Sequence, residues 1–558
     1  MTHRPFLAAL IAGLLSGAPV AAQDAAGPYL AARSAASGWD FDAALRYFSD
    51  ALRADPVNPA LLEGATIAAV ALGDFDRAGD FARAMAGYGI ESQVGHAVQV
   101  TQAAEQDDWT RYLEADPPLG VSPLFDGLAR GWALYGAGRP DEAQAAFDAV
   151  TETEGMRAYG LLHKGFALAA AGDREAALDV FEDPGDGTRG LSPRAVIAQA
   201  QILSELDRNE DALALLDAVF GTIVDPTLDA LKARLRAGET VPYDLVTNAR
   251  EGLAETAYMI ATLLGAEARE DYILQYSRMA QQLNPNLIEA ILLSAELLQR
   301  LERFELASQT FAQVPQDDPA WASAELGRID SLRFSDRIEE AVAVADALAR
   351  ARPELPFVQS RLGDVLREAG QYAAARDAYG RAIEGYPQDD PNLWITYYAR
   401  AISSFELDDW PDAEADFRRA LEINPEQPQV LNWLGYSLVE RGEKLDEALD
   451  MIERAVAARP DSGAIIDSLG WVYFKLGRYD EAVEPLERAA ALEATDPIVN
   501  DHLGDAYFSV GRAREARFQW QRALSFEPEP DLADRIRAKL AGELDPLDEA
   551  NIDAPASE

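Results

Sequence analysis

Along most of the chain, apolar residues recur at three- and four-residue spacing with polar residues between them, the pattern of amphipathic helices. That helical pattern has a longer period of its own. Leu434-Gly435, Leu469-Gly470 and Leu503-Gly504 recur at steps of 35 and 34 residues. Tyr473 and Tyr507 each follow the Gly of their pair by three positions. Ala482 and Ala516 come further on, with Ala489 and Ala523 seven beyond them, and Pro497 and Pro528 close the units. Upstream, Leu362-Gly363, Gly370-Gln371-Tyr372, Ala375, Tyr379, Ala382 and Pro387 keep the same order.

The first small position of the second helix in each unit forms a ladder. It runs Ala44, Ala78, Tyr112, Ala143, Ala177, Ala212, then Ile273, Ala307, Ala341, Ala375, Ala413, Ala448, Ala482 and Ala516. Most steps are 34 or 35 residues, with one of 31, one of 38 and one of 61. About fourteen helix-turn-helix units are readable. The pattern predicts an all-α solenoid, in which antiparallel helix pairs bury their apolar stripes only by stacking on neighbours. A small residue where the two helices cross lets their backbones approach, and a larger one there overpacks. The pairs Asp55-Pro56, Asn284-Pro285, Asn424-Pro425 and Asp496-Pro497 are expected to stop the second helices, because proline disfavours α geometry in the residue before it. Gly73, Gly138, Gly172, Gly370, Gly477 and Gly511 suit the turn inside the hairpin.

The irregular steps suggest an organisation. Residues 1–22 have the features of a secretory signal: Arg4, an apolar run from Phe6 to Leu15, and Val20-Ala21-Ala22 before an expected cleavage after Ala22. The 61-residue step, with Ala237 to Pro242 inside it, reads either as a boundary or as one degenerate extra unit without a break. The boundary reading gives an N-terminal arm at 23–237 and a C-terminal arm at 238–540, closed by a capping helix from Asp531 to Leu540 with Arg535, Arg537 and Lys539. Residues 541–558 are expected to form an acidic disordered tail.

Composition narrows the function. A formal charge of −46, from 49 basic and 95 acidic residues, repels nucleic acid and anionic lipid head groups. There is no cysteine, so disulfides, thiolate metal sites, a catalytic thiol and a lipidated N-terminal cysteine are excluded. No stretch beyond the signal reaches the length of a membrane span, and the chain after signal cleavage is expected without an integral membrane segment. His3, His96, His163 and His502 are scattered, and there is no metalloprotease or phosphate-loop motif. Gly435-Tyr436-Ser437 lacks the second glycine of a nucleophile elbow. No catalytic residue, metal site or cofactor is expected, and the chain is not expected to be an enzyme.

One constellation stands out. Asn432, Asp467 and Asp501 lie two residues before the Leu of their Leu-Gly pairs, and Tyr436, Trp471 and Asp505 follow those pairs directly. The six residues hold equivalent first-helix positions in successive repeats, with His502 beside the row. As a partner-binding strip, Tyr436 and Trp471 would anchor and the aspartates would meet donors. In the alternative, the aromatics pack between repeats and the aspartates are solvated. With few cations nearby, Lys475 among them, the strip suits basic or amide groups better than a carboxylate.

The order Leu-Gly-x2-Tyr…Ala…Ala…Pro resembles the tetratricopeptide repeat, which implies a superhelical solenoid with a concave groove lined by first helices. The segments Asp467-Ser468-Leu469-Gly470-Trp471 and Asp501-His502-Leu503-Gly504-Asp505 are similar to those of proteobacterial cell-envelope tetratricopeptide proteins. The closer resemblance covers roughly residues 355–530. Some members are outer-membrane lipoproteins that bring substrates to carboxy-terminal processing proteases; this chain departs from them in having no lipid-bearing cysteine. The resemblance implies a periplasmic scaffold or adaptor that binds protein or peptide partners, an envelope protease or its substrate among them. A self-associating structural or assembly factor of the envelope stays open as an alternative, as do homo-oligomers. The least favoured reading is a cryptic hydrolase.

Overall fold

The structure, a computed structural model, describes residues 21–114, 120–182, 192–221, 223, 225–265 and 267–549. All but Ala21 and Ala22 of the expected signal, and residues 550–558 of the expected tail, lie outside them. The described residues form helices, turns and loops with no strand among them.

Six hairpins come first: α1–α2 (Ala21–Ser37, Phe41–Ala54), α3–α4 (Pro59–Leu72, Phe75–Gly87), α5–α6 (Gln93–Glu105, Trp109–Glu114), α7–α8 (Pro123–Gly136, Pro140–Glu152), α9–α10 (Arg157–Ala170, Arg174–Glu182) and α11–α12 (Pro193–Glu205, Asn209–Phe220). A single helix, α13 (Pro226–Arg236), follows. Eight further pairs are α14–α15 (Ala249–Leu264, Glu270–Leu283), α16–α17 (Ile288–Arg300, Phe304–Phe311), α18–α19 (Trp321–Phe334, Ile338–Ala351), α20–α21 (Pro356–Glu368, Tyr372–Gly385), α22–α23 (Leu393–Phe405, Trp410–Ile423), α24–α25 (Pro428–Glu440, Leu445–Ala458), α26–α27 (Gly463–Lys475, Tyr479–Leu492) and α28–α29 (Pro497–Ser509, Ala513–Leu524). Then come α30 (Pro530–Ala541) and the one-turn α31 (Pro546–Glu549).

The ladder falls once on the second helix of every pair, and its alanines are all 0 % exposed. The turn inside most pairs follows an equally strict rule. Five residues before the ladder position the backbone turns left-handed, whether the residue is Gly73 (φ 76°), Gly172 (φ 89°), Asp207 (φ 61°) or Glu302 (φ 59°). The small residue and the left-handed corner together fix how most of the hairpins close. Asp55, Asn284 and Asn424 end their helices, as their following prolines suggested. Asp496 does the opposite: it caps the start of α28, its carboxylate accepting from the backbone N–H of Ile498 and Val499. Pro497 then takes the first helical position, where a missing N–H costs nothing.

The 61-residue step contains α13 and a non-helical strap from Ala237 to Asn248, and it is not a domain boundary. Val241 N–H donates to Ser204 Oγ at 2.8 Å, Tyr243 N–H to Glu205 Oε1 at 3.0 Å and Asp244 N–H to Gln201 Oε1 at 3.3 Å, so α11 supplies the strap's backbone partners. Val241, Tyr243 and Val246 are buried. Packing divides the chain elsewhere, into one compact unit ending at Val344 and a second beginning at Ala345.

In the first unit the chain returns on itself. Helix α14 crosses α7, and Gly252 makes this approach feasible: a Cβ there would lie 2.2 Å from the indole of Trp132. Helix α15 lies on α3 and α5. Its buried Arg278 donates to the carbonyl of Ala71 at 3.1 Å, to Gln281 Oε1 at 2.9 Å and to Thr310 Oγ1 at 3.1 Å. With only neutral acceptors there, burial lowers its pKa to about 10. Arg194 bridges Glu255 on α14 and Glu289 on α16. Side chains separated by long stretches of sequence thus close the interior of this unit.

The second unit holds two apolar clusters, one over α22 to α26 and one over α26 to α30, with Tyr436 packed against both. Among the described residues no helix is long and apolar enough to cross a membrane.

Gly252→Ala is expected to lower the stability of the first unit by ~1–3 kcal/mol through overpacking against Trp132. Urea unfolding followed by tryptophan fluorescence measures this; an unchanged midpoint would show that α14 does not depend on the close approach.

Candidate functional site

The six candidate residues sit on the first helices of three successive pairs. Asn432 and Tyr436 are one helical turn apart on α24, Asp467 and Trp471 on α26, and Asp501 and Asp505 on α28. The i, i+4 spacing puts both members of each pair on one helix face. Four of the six are buried: Asp467, Trp471, Asp501 and Asp505.

What buries them is largely the chain itself. Lys539, on α30, donates to Asp501 Oδ2 at 3.0 Å and to Asp505 Oδ2 at 2.8 Å, and its side chain is 1 % exposed. The other oxygen of Asp505 accepts from Trp520 Nε1 at 2.9 Å. His502 Nδ1 lies 2.8 Å from Asp467 Oδ2. The His502 ring stacks on Trp471 with centroids 3.9 Å apart and planes 14° from parallel. Trp471 stacks in turn on Phe474 at 4.9 Å and donates its Nε1–H to Glu440 Oε1 at 2.5 Å. Lys475 Nζ stands 5.3 Å from the Trp471 ring centroid.

The electrostatics follow from this burial. Burial and the neighbouring Asp501 carboxylate push Asp505 up to about 7, against the pull of Lys539 and His502. Burial alone would lower His502, but Asp467, which bonds it, and the carboxylates of Asp501 and Asp505 outweigh that and raise it. Burial, Glu440 and Asp467 raise the Tyr436 phenol, and Arg535 on α30 opposes them. The field of α30 therefore reaches from Asp505 on α28 to Tyr436 on α24. Asn432 shares no hydrogen bond with the others, and its Oδ1 is buried without a partner. Asp467 Oδ1 and Asp501 Oδ1 are likewise buried and unpaired.

The strip therefore gathers four of its members into one network, brings Tyr436 within its field, and leaves Asn432 apart. Trp471 is a packed residue rather than an exposed anchor. Sequence spacing named Lys539 only among the charges of a capping helix, and His502 only as a neighbour of the row. The signal that could have joined Lys539 to the row was its position seven residues after Leu532 and three after Ile536, on the one apolar face of α30. Chemically, the site accepts a cation from a helix. Among the described residues no group of three or more His, Asp or Glu is arranged to hold a metal ion.

Sequence models of the tetratricopeptide repeat family match residues 364–532, and also residues 29–89, 128–185 and 326–390. Over these stretches the chain belongs to the tetratricopeptide repeat family, and such repeats imply a scaffold for protein–protein interaction. Among its relatives is a TPR repeat-containing protein of Pseudomonas aeruginosa, 31 % identical over 177 residues, which are 31 % of this chain and 28 % of that one. Tetratricopeptide repeat protein 13 of Homo sapiens is 25 % identical over 175 residues, covering 30 % of this chain and 20 % of its own length. The chain thus spans under a third of either relative. Among solved structures, the Cut9–Hcn1 hetero-tetramer of the APC/C aligns over 93 % of this chain and 96 % of that one, at 15 % identity and a TM-score of 0.38. A thermophilic tetratricopeptide protein of Thermus thermophilus aligns over 33 % of this chain and 99 % of its own, at 28 % identity and a TM-score of 0.29.

The cluster predicts a pH dependence. Asp505 keeps a proton in the folded chain that the unfolded chain has already released, so its contribution declines as pH rises from about 4 through about 7. His502 acts in the same sense: its contribution is complete below the unfolded value and is lost as pH climbs through the raised folded one. Asp505→Asn should therefore flatten the decline in stability of the C-terminal helices between about pH 5 and pH 8. Hydrogen exchange of α28 to α30 measures it. An equal decline in variant and wild type would remove Asp505 from the cause.

Proposed function

We propose that this chain is a non-catalytic adaptor of the bacterial periplasm, exported by residues 1–22, and that the carboxylate strip of α24 to α28 receives a basic segment of a protein partner. The observation that carries the reading is the way Asp501 and Asp505 converge on one ammonium group, while further carboxylate oxygens of Asp467 and Asp501 in the same network are buried and unpaired. Buried acceptors of this kind favour a donor-bearing ligand, because an unmet carboxylate oxygen away from water is costly. The resemblance to envelope adaptors supports a role in protein turnover or assembly at the cell envelope, with an envelope protease or its substrate as the partner.

Capture of the tagged full-length chain from an envelope fraction tests it. A stoichiometric protein partner is expected with the wild type, and a roughly tenfold loss with Asp467→Asn combined with Asp501→Asn, a change of about 1.4 kcal/mol in binding. The mature chain is expected to begin at Gln23. Absence of any partner across growth states, or equal capture by a folded double variant, would overturn the reading.

A further inference from the structure

Helix α30 looks less like a simple end-cap than like something held by the strip. Its Leu532, Ile536 and Lys539 are buried along one face at i, i+4 and i+7, while Asp531, Asp534 and Arg537 face outward. That is how an amphipathic helix seats in a receptor groove. The apolar members join the cluster of Trp471, Phe474 and Trp520, and Lys539 supplies the charge. The connection back to α29 is short and turned, with Glu527 left-handed at φ 53° between Phe526 and Pro528.

The fit is incomplete in one respect. Lys539 has three N–H donors and is given to Asp501 Oδ2 and Asp505 Oδ2, yet Asp501 Oδ1 and Asp467 Oδ1 remain buried and unpaired. The strip has more acceptors than its present occupant satisfies. A guanidinium carries five donors in a planar fork that matches carboxylates two at a time, so arginine answers this acceptor set better than lysine.

We infer that α30 is an exchangeable internal ligand, and that the strip's partner is an amphipathic helix presenting an arginine at the place of Lys539, with aliphatic residues three and seven positions before it. The inference rests on the strip being the docking surface proposed above. In the resting chain α30 covers that surface; the partner helix replaces it because its guanidinium pairs oxygens that Lys539 leaves unmet. Binding therefore releases α30, which gives the scaffold a segment that changes state when the groove is filled.

The test uses the full chain and a fluorescent synthetic peptide of residues 529–542 carrying Lys539→Arg. With the wild-type chain, saturating peptide is expected to speed hydrogen exchange of the chain's own residues 531–541 at least tenfold, while α26 and α28 stay protected. A full chain carrying Lys539→Glu, whose own helix is repelled by Asp501 and Asp505, is expected to bind the peptide at least tenfold tighter than the wild type by anisotropy. Lys539→Met serves as the second variant, and binds with intermediate affinity. The peptide with Glu at the lysine position should bind none of them. Failure of the arginine peptide to bind any chain, or binding without release of α30, overturns the inference. Release of α30 by the peptide, together with a captured partner that the peptide does not displace, upholds α30 as an exchangeable ligand and overturns the reading of the strip as that partner's docking surface.

Discussion

One steric constraint recurs along the described residues: twelve of the fourteen hairpins close on a fully buried second-helix alanine too small to hold its partner away. At thirteen of the fourteen ladder positions that residue is fully or almost fully buried, alanine in all but one, where Ile273 stands. Close approach at this point brings the larger apolar side chains of both helices into contact, and the left-handed corner five residues earlier aims the second helix at that contact. The pairs α5–α6, with Tyr112 at the ladder position, and α24–α25, whose left-handed residues are Gly442 and Lys444, depart from one feature or the other and still pair. Because each pair still has an uncovered face, the units have to stack, and stacking rather than one central core carries the length of the chain.

Stacked first helices leave a lined face, and each unit covers much of it with its own chain. In the first, α14 and α15 return onto α3, α5 and α7, with Gly252 against Trp132 and Arg278 against the carbonyl of Ala71. Partly buried Arg194 between Glu255 and Glu289 belongs to the same closure, and its loss would leave the buried Glu255 carboxylate unpaired away from water. In the second, α30 does this, with the one-turn α31 beyond it packed on α28. The first arrangement is interlocked by residues far apart in sequence, whereas the second depends on one short helix next to the last repeat and on the buried ion pairs of its Lys539.

The repeat was legible in the sequence because its determinants are local. Side-chain size at Ala44 or Ala482 and the need for a left-handed residue at Gly73 or Gly477 are properties of short stretches. Asp496 misled for the same local reason, since an Asp-Pro pair can stop one helix or start the next, and only the length of the preceding loop decides. What was hidden involves long-range pairing. The strap at 237–248 looked like a boundary because its partners, Gln201, Ser204 and Glu205, lie more than thirty residues back. Spacing put the six strip residues one turn apart on three successive first helices, but what surrounds them was not legible. Whether Asp501 and Asp505 meet water or Lys539 depends on where α30 folds after the last repeat.

The seating of Lys539 between Asp501 and Asp505 is thus the point on which the functional reading turns. Nitrogen-15 labelling of the lysines, read through their ammonium protons at neutral pH, observes it directly. One ammonium signal protected from solvent exchange, lost on Lys539→Met and shifted by Asp505→Asn, is the expected result. A Lys539 ammonium exchanging as fast as those of solvent-exposed lysines would contradict the closure of the strip by α30.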